Sequence, residues 1–154
     1  MTIYTVKVSD NGDKEWFLDD KLHAIEYADG TKSWYLNDKL HRTDGPALER
    51  ANGEKWWYLN DKVHRVDGPA IEWADGQKHW IVDDKLHRVD GPAIECADGS
   101  KRWYRYNQCH RVDGPAYEDA SGTKEWWLYG NKLTQAQWKR ADKPKVTSCV
   151  DKNV

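Results

Sequence analysis

The motif Gly-x-Lys-x-Trp begins at Gly12, Gly30, Gly53, Gly76, Gly99 and Gly122, with successive spacings of 18, 23, 23, 23 and 23 residues. A fixed period of this length means that one supersecondary unit stacks on copies of itself, because so short a unit cannot bury an apolar face alone. The short first step is informative. The second to fifth copies are followed by His-Arg-x-Asp-Gly-Pro-Ala at 41–47, 64–70, 87–93 and 110–116, whereas His23 runs directly into Ala24. The flanking segments keep phase. Arg-x-Asp-Gly-Pro therefore behaves as a corner that one unit lacks, and a set of reacting residues would not be spread over a removable corner.

Within each unit, short strand-forming runs alternate with turn signals. In PAIEWADGQKHWIVDDKLHR, Ala-Asp-Gly fits a three-residue hairpin loop, a type I turn closed by a left-handed glycine. That register opposes Trp73 to Gln77, Glu72 to Lys78 and Ala70 to Trp80. The same spacings recur at Glu26/Lys32, Glu49/Lys55, Glu95/Lys101 and Glu118/Lys124, and at Ala24/Trp34, Ala47/Trp57, Ala93/Trp103 and Ala116/Trp126. A two-residue turn would instead oppose Glu72 to His79, and the matching positions are Ser33, Trp56, Arg102 and Glu125, which share no chemistry. Each well-matched cross-strand pair contributes about 0.2–1 kcal/mol. A second turn follows at 37–39, 60–62 and 83–85. The corner proline lacks an N–H and suits a strand start or an edge.

The expected fold is all-β: an elongated single-sheet repeat of six β-hairpin units over residues 1–133, with a short C-terminal capping helix and basic tail over 134–154. The first copy carries Val6 and Val8 where later copies have Ala and Glu, as a terminal unit does. At the other end Leu133 replaces the histidine. Thr134 and Gln137 form a capping box that predicts a helix from about 135 to 141. Trp138 would let it cover the end of the sheet, Pro144 would stop it, and 145–154 would fray.

Ten Trp and eight Tyr stand against one Phe and one Met, so the interior must be built from rings, which bury roughly 150–250 Å² each. The net charge of -2 speaks against nucleic acid or a membrane surface as partner. Residues 1–131 carry 18 Lys+Arg against 24 Asp+Glu, and residues 132–154 carry 6 against 2: a small basic appendix on an acidic body. Cys96, Cys109 and Cys149 have no metal spacing, and an odd number does not suggest a disulfide framework. MTIYTVKVSDNG holds no apolar run long enough for a signal or a span, so the expectation is a soluble cytoplasmic chain.

The repeated residues read as structure. His41, His64, His87 and His110 recur once per unit, and two strands per unit separate neighbours by roughly 9–10 Å. Zinc needs donors at about 2.0–2.3 Å, so adjacent copies do not share an ion. A clamp is expected instead, with His and Arg hydrogen-bonding the Asp-Gly turn of their own or the next unit. The equal Glu/Lys pairs lack the unlike environments that acid–base work requires, and no positioned nucleophile accompanies His and Asp. No catalytic residue, metal or cofactor is expected. The Trp column 16, 34, 57, 80, 103 and 126 is assigned to the core, on the face of the Ala, Glu and Lys columns. The opposite face varies most between copies. Its middle presents Trp56, Tyr58, Trp73, His79, Arg102 and Tyr104, and large aromatics with Arg make typical interface anchors.

The unit W-Y-L-N-D-K-L-H-R-x-D-G-P-A…A-D-G-x-K resembles a divergent MORN repeat in length, in its aromatic strand, in its turn-Lys-x-His corner and in its Asp-Gly hairpin. The resemblance covers residues 12–133. It departs where Arg-x-Asp-Gly replaces the Gly after His, and where Lys-x-Trp replaces Tyr-x-Gly. The Trp-Tyr-Leu-Asn run is also similar to choline- and glucan-binding wall repeats. The MORN resemblance implies a sheet of β-hairpins that binds a protein, and related bacterial repeats occur in antitoxin-like proteins. The function expected is a non-enzymatic protein-binding module, antitoxin-like or a phage-encoded inhibitor, that occludes its partner. The alternative is a carbohydrate or cell-wall-polymer binder, and a third reading is phospholipid binding through the basic tail. A free sheet edge offers a route to a homo-oligomer.

Overall fold

The computed structural model describes residues 4–143. Pro144, Cys149 and the stretch 145–154, with the expected stop, the fraying and the last two basic residues of the tail, lie outside the described residues. The chain is nearly all β. A 14-stranded antiparallel sheet follows chain order from Thr5–Val8 through Lys14–Leu18, Lys21–Glu26, Lys32–Leu36 and the later hairpins to Lys124–Leu128 and Asn131–Leu133. Within a unit the strands are joined by a tight turn, and between the corner-bearing units the path runs out through a small hairpin and the corner before it returns to the next strand. At about 4.8 Å per strand the sheet has a contour of about 60 Å.

The Ala-Asp-Gly loops have the expected geometry. Trp73 N–H donates to the Gln77 carbonyl (2.9 Å), Gly76 N–H donates to the Trp73 carbonyl (3.0 Å), and Gly76 sits at φ +90°. A left-handed residue must close this loop, which is why glycine recurs there. The second turn is a two-residue hairpin with both central residues at positive φ, such as Asn60 (52°) and Asp61 (67°). Asn and Asp tolerate that region better than most side chains.

All five Glu/Lys pairs face each other as expected, and the alternation continues between units. One unbroken row runs Lys14, Glu26, Lys32, Glu49, Lys55, Glu72, Lys78, Glu95, Lys101, Glu118, Lys124. The Ala/Trp pairing holds as a ladder at Ala24 and Trp34. In later units the ladder stops one residue short. Ala70 N–H donates to the His79 carbonyl (2.8 Å), and Trp57 N–H donates to the carbonyl of Ala70 in the next unit (2.9 Å). The inserted corner causes this break. Where a corner lies both before and after it, the long strand is split in two, so that Tyr58–Leu59 with Lys62–Val63, Ile81–Val82 with Lys85–Leu86, and Tyr104–Arg105 with Gln108–Cys109 form separate two-stranded ladders beside the main sheet, while Lys32–Leu36 and Lys124–Leu128 stay whole.

The assignment of the Trp column to the core needs correcting. The fully buried residues are Ala47, Ala70, Ala93 and Ala116, each with no exposed surface, while Trp34, Trp57, Trp80 and Trp103 are half-buried. Each of these rings carries a guanidinium: Arg42 over Trp34 at 4.1 Å, Arg65 over Trp57 at 4.2 Å, Arg88 over Trp80 and Arg111 over Trp103 at 3.9 Å. A single sheet has no second layer, so the arginines cover what a second layer would otherwise bury.

The C-terminal helix spans Gln135–Arg140, with the Thr134/Gln137 capping box formed in both directions. Trp138 Nε1–H donates to the Arg111 carbonyl (3.1 Å), which fastens the helix to the last corner.

Candidate functional site

The corner is built around its arginine. Arg88 Nε donates to Asp90 Oδ1 (3.0 Å), and its Nη1 donates to the Pro92 carbonyl (3.2 Å) and to Glu95 Oε1 (3.0 Å). Arg42, Arg65 and Arg111 repeat this geometry on Glu49, Glu72 and Glu118 at 3.6, 3.7 and 3.1 Å. The carboxylates that face lysines in register are therefore held by arginines. The guanidinium holds Asp44, Asp67 and Asp90 below the usual carboxylate range, chiefly through its hydrogen bond.

Half of the expected clamp takes a different form. Arginine closes the Asp-Gly turn of its own unit, as expected. Histidine reaches the second turn of the next unit instead: His41 Nδ1 accepts from Asn60 N–H (3.2 Å), His64 from Asp83 N–H (3.4 Å) and His110 from Tyr129 N–H (3.1 Å). The pitch between units places the next turn, rather than the corner, opposite the imidazole. Among the described residues no cluster of three or more His, Cys, Asp or Glu could hold a metal ion. Burial pushes the Cys109 thiol up to about 11, so it stays protonated at neutral pH and is a poor nucleophile.

The opposite face is a second continuous row: Ser33, Leu48, Trp56, Ile71, His79, Ile94, Arg102, Tyr117 and Glu125 are successive register partners. Four of the six expected site residues meet here. Trp56 stacks on Tyr58 at 6.2 Å and meets Trp73 edge-on at 5.2 Å, and Trp73 meets His79 edge-on at 6.0 Å. Arg102 stands two strands beyond His79, across Ile94, exposed and with its guanidinium 5.1 Å from the Tyr117 ring. Tyr104 belongs to a separate ladder, where it pairs with Cys109, and its ring is outside the cluster. Burial, with Arg102 adding repulsion, holds His79 below its ordinary pKa, so the imidazole is neutral at pH 7. The indole N–H groups of Trp56 and Trp73 are turned inward, and among the described residues neither finds an acceptor. The cluster thus presents ring carbon outward.

Sequence reasoning missed the apolar positions interleaved with this cluster in the same row. Ile71 and Ile94 are buried and Leu48 half-buried, each between an Ala and a Glu of its unit. Simple alternation along the strand was the signal available.

No family model matches the chain, and no curated protein matches it. Among the described residues no helix is long and apolar enough to cross a membrane.

Proposed function

We propose that the chain is a non-enzymatic protein-binding module of MORN type, cytoplasmic, that occludes a partner in the manner of an antitoxin-like or phage-encoded inhibitor. The observation that carries this reading is the contiguous ring cluster of Trp56, Tyr58, Trp73 and His79, with exposed Arg102 nearby on the same face. Rings cost little conformational entropy when a partner fixes them, and aromatic and Arg side chains dominate interface energetics. The partner-facing surface is irregular from unit to unit, which suits one shaped protein surface better than a repeating polymer. A polysaccharide would need similar slots in each unit, and the slots over Trp34, Trp57, Trp80 and Trp103 already hold the chain's own guanidinium groups.

The test is an affinity capture from the native cell or its infected host, comparing wild type with a Trp56→Ala/Trp73→Ala/Arg102→Ala variant whose β circular dichroism is unchanged. The expected result is one protein retained in stoichiometric amount by the wild type and reduced at least tenfold by the variant. Undiminished retention by the variant would overturn the face assignment. Retention of polysaccharide in place of protein would favour the wall-polymer reading.

A further inference from the structure

The first unit lacks the corner, and so lacks the residue that fills its own slot. Arg42, Arg65, Arg88 and Arg111 each lie eight residues after the Trp they cover, and the residue eight after Trp16 is Ala24. The space is open. A cavity of about 360 Å³ is lined by Tyr4, Trp16, His23, Glu26 and Trp34, with Lys32 alongside. These residues correspond to those of the later units. Trp16, His23, Glu26 and Lys32 hold the repeat positions of Trp34, His41, Glu49 and Lys55, of which Trp34 and Glu49 hold Arg42.

The cavity keeps two of the four groups that bind the guanidinium elsewhere, the ring and the Glu carboxylate; the Asp side chain and the Pro carbonyl are missing with the corner. Trp16 supplies the ring. Glu26 supplies the carboxylate, and with no corner arginine to hold it, its nearest cation is Lys14 at 3.8 Å, both side chains being well exposed. Such an exposed pair is weak and readily exchanged. Lys32 does not bar a cation, because Lys55, Lys78 and Lys101 hold the same position beside filled slots. Tyr4 adds a second ring, packed 5.2 Å from His23.

We infer that this slot between Trp16 and Trp34 is a receptor for a guanidinium group, the side chain of an arginine offered by a partner protein. The incoming group would lie over Trp16 and pair with Glu26, reproducing in trans the Trp and Glu contacts that the second to fifth units make in cis. That the arginine comes from a protein rests on the function proposed above; the preference of the slot for guanidinium does not.

The test uses the intact chain and N-acetyl-arginine amide, with N-acetyl-citrulline amide as the probe of equal shape and no charge. Indole signals of Trp16 and Trp34 are followed by two-dimensional NMR. The expected result is a saturable shift of those two signals with arginine, at least tenfold weaker with citrulline. Glu26→Gln should weaken arginine binding about tenfold, the loss of one charge-assisted hydrogen bond. Inserting Arg-Val-Asp-Gly-Pro between His23 and Ala24 should fill the slot from within and abolish binding. Equal responses to the two probes, shifts scattered over the acidic surface, or binding undiminished by the insertion would each overturn the inference. Should the insertion prevent folding, Glu26→Gln and Trp16→Leu decide it: unchanged affinity in both sinks the slot. A slot that binds arginine while affinity capture retains no protein leaves the slot standing and removes the protein-binding reading.

Discussion

Arg88 shows what one side chain does in this architecture. It covers Trp80, closes its own turn at Asp90 and holds Glu95, while 22% of its side-chain surface remains exposed. A Cβ on Gly91 would lie 2.7 Å from its Cζ, so glycine recurs in the corner because the guanidinium occupies the place of a side chain. Arg88→Ala should cost about 2–3 kcal/mol in urea unfolding, through the lost stack and charge-assisted bonds. Gly91→Ala alone should cost about 1–3 kcal/mol by overpacking. Combined, the two should couple by about 1 kcal/mol or more, since removing the guanidinium frees the space. Strict additivity would show that the Gly–Arg contact is unimportant. His79 carries a separate prediction. Its folded pKa is depressed, first by burial and then by Arg102, and burial followed by Arg105 depresses His110 in the same direction. The unfolded chain therefore takes up protons first as pH falls through the ordinary histidine value of about 6.5. Stability is full above that value and declines below it, so the urea midpoint should fall between pH 7.5 and 5.5. His79→Gln should flatten part of that slope. The depressed carboxylates act below about pH 4, outside this window. A midpoint that rises on acidification would contradict the assigned environment of His79.

At the scale of elements, the C-terminal helix has only six residues, too few to be stable alone. It persists because Thr134 and Gln137 satisfy its first turn and Trp138 ties it to the Arg111 carbonyl. Thr134→Ala should lower stability by about 1 kcal/mol. Trp138→Ala should cost about 2 kcal/mol, less than a fully buried Trp because the ring is half-buried. Thermal unfolding measures both, and a Trp138→Ala midpoint equal to wild type would show that the helix does not support the sheet end. This element was legible in the sequence because a capping box is a contact between residues three apart. The two hairpin turns were legible for the same reason: Ala-Asp-Gly and Asn-Asp-Lys state their backbone dihedrals locally. The splitting of the middle strands at Trp57, Trp80 and Trp103 was not. It follows from having a corner on both sides, since Trp34 makes the same N–H bond to the next alanine yet keeps its ladder with Ala24 on the side without a corner, and residue spacing within one unit carries no trace of that difference.

Across the whole molecule, the two ends of the sheet differ. The last strand is covered by a helix, whereas Thr5–Val8 forms the first edge with every side chain exposed, Val6 at 47% and Val8 at 66%. The interior between them is thin: among the described residues four alanines, two isoleucines and Leu128 make up the buried apolar set. Stability in such an array comes from contacts between neighbouring units rather than from one central core. Those contacts are the histidine bonds to the next turn, the backbone ladder along the Glu/Lys row and the Trp N–H bonds to the next alanine. The period, the all-β class, the register of the hairpins and the capped end were readable from the residues alone, because each depends on neighbours within one unit and its turns. The order of the rings, the arginine cover over Trp34, Trp57, Trp80 and Trp103, the grouping of Trp56, Tyr58, Trp73 and His79 without Tyr104, and the open slot at Trp16 were decided by how far apart successive units lie and which faces the pleat turns together. Those are distances between side chains roughly one repeat apart, and a linear pattern specifies the pattern of such pairs but not the space left between them.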